Sequence, residues 1–171
     1  MEKGYIHLYT GNGKGKTTAA FGLAIRALCS DKSVYIGQFV KSMQYNETKI
    51  ERLFSKVKIE QLGRGCFISK SPDASDIQYA KDGWIRCCDL LFRGDYDVIV
   101  LDELAVAVHL GLISIDEVIA GLKRRHSKVE VVITGRYAAQ ELIDIADLVT
   151  EMHEVKHYYT QGVLSRNGID K

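Results

Sequence analysis

The 171-residue sequence has a single proline, Pro72, no C-x-x-C pair, and no apolar run near the ~20 residues that a bilayer-spanning helix needs. Its charges nearly cancel, 23 Lys and Arg against 22 Asp and Glu, a net charge of +1. That balance removes the electrostatic reason to expect a nucleic acid or an anionic membrane as partner, so any basic site must be local. The sequence opens on a strand-like pattern with no signal-peptide signature, which gives a cytoplasmic expectation. Cys29, Cys66, Cys87 and Cys88 have no histidine at zinc-ligand spacing and read as reduced thiols, mostly filling a core. Neighbouring Cys87 and Cys88 fall in a helical pattern and point about 100° apart, against a joint metal site.

What is present is an alternation of Val/Ile/Tyr-rich runs with helix-period segments. That pattern predicts an α/β fold, a mainly parallel sheet of about six strands flanked by helices, in a chain sized for a single domain over residues 1–171. The strands are expected at 5–9, 34–40, 57–62, 97–101, 129–134 and 147–152. Four apolar stripes lie between them: Phe21, Ala24, Ile25 and Leu28; Ile77, Ala80, Trp84, Cys88 and Leu91; Ile115, Val118, Ile119 and Leu122; Ala139, Leu142, Ile143 and Ala146. Ser114 and Glu117 have capping-box spacing at the start of the third. The irregular stretches 41–47, 63–75 and 156–171 are where substrate loops are sought, since open parallel sheets bind ligands beyond the carboxyl ends of their strands.

The stretch "YTGNGKGKTTAAFG" follows the first strand and opens the first helix. Its second half fits the phosphate-loop pattern G-x-x-x-x-G-K-S/T through Gly15, Lys16 and Thr17, but Thr10 stands where the first glycine belongs. Gly11 and Gly13 keep the backbone free to turn its N–H groups toward a ligand. Lys16 is placed to neutralise phosphate charge and Thr17 to ligate Mg²⁺, with Asn12, Thr18 and the backbone of 11–16 as further donors. The run "DVIVLDEL" delivers Asp102 and Glu103 at a strand end, as a Walker B segment does, so that one carboxylate reaches the metal. "VITGR" brings Thr134 and Arg136 to the same edge, where Arg136 either holds a phosphate or forms a structural salt bridge. The five histidines have no ligand spacing. These residues specify a nucleotide site but not a reaction: neither the water-orienting residue of a hydrolase nor the base of a kinase is evident from spacing.

The segments "TGNGKGKTTAAFGLAIRA", "QFVKS", "VLDEL", "VITGR", "ADLVTEMHEVKH" and "GVLSRNGID" together resemble the ATP:corrinoid adenosyltransferase family, in order and over essentially the whole chain. The "GNGKGKTT" form without a leading glycine is a hallmark of that family. The resemblance implies a RecA-like fold, a homodimer, and transfer of the 5′-deoxyadenosyl group of ATP to the Co(I) of a reduced corrinoid, with release of tripolyphosphate and the electron supplied by a flavin-type reductase. It implies Thr17 and Glu103, with Asp102, at Mg²⁺; Asn12, Lys14, Lys16, Thr18 and Arg136 at the nucleotide; and Lys16, Glu103 and Arg136 as the catalytic set. Phe67 is implied to face the corrinoid, whereas Ser69 stands where some relatives carry a tryptophan that helps displace the lower ligand of cobalt. Some relatives also cover the site with an N-terminal extension that has no counterpart here, so closure is expected from other segments.

Overall fold

A computed structural model describes residues 2–41, 45–64 and 72–170. It contains six strands, β1 (Ile6–Thr10), β2 (Val34–Gln38), β3 (Val57–Gln61), β4 (Val98–Asp102), β5 (Glu130–Thr134) and β6 (Leu148–Glu151). All five pairings are parallel, in the order β3-β2-β4-β5-β1-β6. The helices are α1 (Lys16–Cys29), α2 (Ala74–Arg93), α3 (Leu104–His109), α4 (Ile115–Lys123) and α5 (Gln140–Ile145). Two 3-10 turns cover Asn46–Arg52 and Tyr158–Gln161.

The continuous apolar runs arise because the central strands are covered on both faces. Along β4, Val98 and Val100 pack beneath α1 with Phe21, Ala24, Leu28 and Val132, while Ile99 and Leu101 join Trp84, Leu91, Leu122 and Leu142 on the opposite face. Alternate residues of one strand therefore serve two cores. β6 is the exception. Paired only with β1, it is exposed along its whole length.

Helix starts follow local chemistry. Asp73 and Asp76 close a capping box on α2, and Ser114 and Glu117 close the expected one on α4. Three details differ from the sequence reading. Ile25 is 40% exposed, because the buried stripe of α1 is centred on Ala20, Ala24 and Ala27, whose small side chains bring the helix close to the sheet. Ala139 and Ala146 flank α5 as its caps rather than lying inside it. The short α3 is additional, since six residues are too few to display a helical period.

Candidate nucleotide site

Buried polar side chains mark one end of the sheet. Thr10, Gln38, Asp102 and Thr134 each end a strand at the carboxyl edge, and Lys16 starts the helix beside them. Buried polar groups need partners: Gln38 and Thr134 find theirs in Asp102, and Lys16 in carbonyls of the loop.

The phosphate loop is shaped by its contact with the chain leaving β6. Gly13 N donates to Met152 O at 2.6 Å, and a Cβ at position 13 would lie 2.7 Å from that oxygen. Gly15 has φ +119°, which favours glycine, and it precedes α1 without a side-chain cap. The first N–H groups of α1 are left for a ligand, where the helix dipole favours an anion. Lys16 folds back over the loop, donating to Gly11 O and Gly13 O at 2.7 Å each. Burial and the nearby Arg136 guanidinium pull its ammonium below the ordinary lysine range, against the opposing pull of Glu103. A buried cation beside open N–H groups, with the exposed Arg136 near enough for its charge to act, favours a polyanion.

Asp102 is fully buried and carries four bonds. Its Oδ1 accepts from Thr17 Oγ1 at 2.8 Å and Thr134 Oγ1 at 2.7 Å; its Oδ2 accepts from Gln38 Nε2 at 3.0 Å and Lys41 Nζ at 2.7 Å. Burial alone would raise its pKa, yet the Lys41 charge and these donors hold the carboxyl below its usual range, so Asp102 stays ionised. Glu103 follows with φ +60°, a left-handed turn fixed by its N–H donating to Thr134 Oγ1 at 2.9 Å. Burial, then the charge of Asp102, push its carboxyl above the ordinary glutamate range, against Lys41, Lys16 and Arg136. It is a half-buried acid without a hydrogen-bond donor among the described residues.

The profile of the family described as "ATP:corrinoid adenosyltransferase BtuR/CobO/CobP" matches residues 2–170. The chain belongs to that family. Among curated proteins it is 34% identical to the corrinoid adenosyltransferase of Pseudomonas aeruginosa, over 99% of this chain and 84% of that one. It is 36% identical to the corrinoid adenosyltransferase CobA of Salmonella typhimurium, over 99% of this chain and 86% of that one. The flagellar accessory protein FlaH of Methanocaldococcus jannaschii shares the fold, with a TM-score of 0.59 at 14% identity over 88% of this chain and 72% of that one.

Within this member of the family, Lys16, Thr17, Asp102 and Glu103 converge on one end of the sheet, with Arg136 close enough for its charge to act on Lys16 and Glu103. Asn12 and Thr18 sit exposed on the loop and at the start of α1. Lys14 turns away to the chain terminus, donating to Ile169 O and Asp170 Oδ1. Phe67 and Ser69 lie outside the described residues. Gln38 and Lys41 were missed as site residues, although two polar side chains closing the apolar run "VYIGQFVK" were a visible signal.

The donor set fits Mg²⁺. Thr17 offers a hydroxyl at the base of the loop and Glu103 a carboxylate with no hydrogen-bond donor among the described residues, and a cation there would relieve the repulsion between Glu103 and Asp102. Beyond Arg136, Tyr137 is held at φ +59° and stacks on His109 with ring centroids 4.4 Å apart, and both line a cleft of about 540 Å³ together with Ile77, Lys81 and Ile113.

Proposed function

We propose that this protein transfers the 5′-deoxyadenosyl group of ATP to the Co(I) of a reduced corrinoid. The observation that carries the reading is the convergence of Lys16, Thr17, Asp102 and Glu103 on one sheet edge in a chain belonging to this family. The cobalt electron pair forms a bond to C5′ of the ribose while the C5′–O5′ bond breaks, and the bonding electrons leave with tripolyphosphate. Charge grows on the triphosphate as it departs. On this reading Lys16, Arg136 and the open N–H groups of α1 meet that developing charge and favour the transition state over the ground state.

Asp102 acts through Thr17, fixing the hydroxyl that would meet Mg²⁺, and Glu103 supplies the charged ligand. When bound, Mg²⁺ shares the charge of the leaving group. Co(I) is itself the nucleophile, so the protein need only align it with C5′ and exclude water. Phe67 faces the corrinoid on this reading. The family resemblance further supports a homodimer fed with electrons by a flavin-type reductase.

The test is incubation with ATP, Mg²⁺ and chemically reduced cobalamin, following the corrinoid spectrum and the phosphate products. A cobalt–carbon bond forming in step with tripolyphosphate is expected. Release of ADP or orthophosphate without that bond would replace this reading with a phosphate-loop ATPase or kinase.

A further inference from the structure

Two lysines flank Gly15, and the structure gives them different surroundings. Lys16 lies over the loop, bonded to two of its carbonyls. Lys14 leaves the loop, and both of its acceptors, Ile169 O at 3.2 Å and the Asp170 carboxylate, belong to the C-terminal segment. Asp170 in turn accepts from Tyr158 Oη, Arg166 N and Arg166 Nε, all within that same segment. The Arg166 guanidinium also sits 4.7 Å from the Tyr158 ring centroid. Among the described residues, Lys14 is the one donor to Asp170 from the body of the protein.

The segment does not stop at the loop. Asn167 Oδ1 accepts from Asn46 Nδ2 at 2.6 Å, and Asn46 opens the 3-10 turn that follows β2. In the sheet, β4 and β5 lie between β2 and β1, the strand that feeds the phosphate loop. Residues 167–170 thus tie together two connections at the carboxyl edge, flanking the start of α1.

We propose that Lys14 serves the nucleotide site through Asp170, as the anchor of a C-terminal strap over residues 158–170 that walls the site, and not as a phosphate ligand. Asp170 is then a positioning residue. The ammonium of Lys14 is already paired with a carboxylate and a carbonyl, so drawing it into the phosphate hollow would strip both acceptors. Of the two lysines only Lys16 serves that hollow, and the strap remains latched when nucleotide binds. This inference rests on the nucleotide-site reading, but its test needs no corrinoid.

A double-mutant cycle on Lys14→Met and Asp170→Asn, read by ATP titration and by hydrogen exchange of residues 158–170, tests it. Each single variant is expected to weaken ATP binding about five-fold, the scale of an exposed ion pair. The double variant is expected to lose no more than either single one, and exchange in 158–170 to rise equally in all three. Asp170→Glu is expected to restore both readouts, and ATP to leave the strap of the unmutated protein protected. In turnover the loss is expected in KM for ATP, with kcat retained. If Asp170→Asn binds ATP as well as or better than the unmutated protein, or if the two losses multiply, Lys14 is a direct phosphate ligand and the proposal fails. Loss of adenosyl transfer with this pattern intact would instead count against the proposed reaction.

Discussion

Thr17 Oγ1 donates to Asp102 Oδ1 at 2.8 Å, joining the first turn of α1 to the end of β4 across 85 residues of sequence. The bond gives Asp102 two tasks, to orient the hydroxyl at the base of the phosphate loop and to neutralise the mostly buried ammonium of Lys41. Asp102→Asn keeps the shape, removes the charge and leaves Lys41 without its counter-ion. Breaking a buried pair from one side costs about 3–5 kcal/mol, and that loss is expected in urea unfolding at pH 7. Since the folded carboxyl is more acidic than the unfolded one, its stabilisation is complete above ~4 and is lost as pH falls through the lower folded value. The gap between the two proteins is therefore expected to be full at neutral pH and to close only in strong acid. A constant gap down to pH 2 would mean that the charge is not the source.

Glu103 has the opposite sign. Burial and the charge of Asp102 raise its carboxyl, so the ionised form weakens the folded state, increasingly as pH rises from the unfolded toward the folded value. Glu103→Gln is expected to raise Tm at pH 8 by about 2–4 °C while lowering kcat/KM with Mg-ATP by on the order of 10²-fold. A thermal melt paired with the adenosylation assay checks both. A variant that is less stable and fully active would remove Glu103 from the site.

Much of this was legible beforehand, because burial on both sheet faces leaves uninterrupted apolar runs, and because a phosphate loop and an acidic strand end are local patterns. The remainder depends on neighbours that sequence spacing cannot supply. Lys41 acquires its role only once β2 lies beside β4 and Gln38 stands in register with Asp102. The bond from Lys14 to Asp170 spans 156 positions, and nothing local distinguishes Lys14 from a phosphate-binding lysine. Ile25 shows the converse, an apolar residue assigned to the core by period alone and turned outward because alanines had already claimed the contact.

The cysteines separate by burial. Cys87 is fully buried on the inner face of α2, and burial pushes its thiol up to about 12, whereas Cys29 is exposed at the end of α1. Iodoacetamide at pH 8 is expected to modify Cys29 in the native protein and to reach Cys87 only after denaturation. Mass spectrometry of the digested protein reads the two directly, and early labelling of Cys87 would show that α2 opens readily from the sheet.

Two glycines close in sequence should respond oppositely to alanine. Gly22 lies within α1 with nothing inside 4 Å of an added Cβ, so Gly22→Ala trades backbone freedom in the unfolded chain for helix propensity and is expected to stabilise by about 0.5–1 kcal/mol. At Gly13 the added atom would sit 2.7 Å from Met152 O and 2.8 Å from Met152 C, which are backbone atoms that no rotamer change can clear. The loop must therefore withdraw from the chain leaving β6, breaking the 2.6 Å bond from Gly13 N and moving the carbonyls that hold Lys16. Gly13→Ala is expected to lose ATP binding by at least about ten-fold, since a displacement near 1 Å is enough to misplace a binding group. Titration with ATP, alongside urea unfolding of both variants, distinguishes a loop shaped by this contact from one that merely tolerates it: equal ATP affinity in the two would mean that the approach to Met152 does not set the geometry of the phosphate hollow.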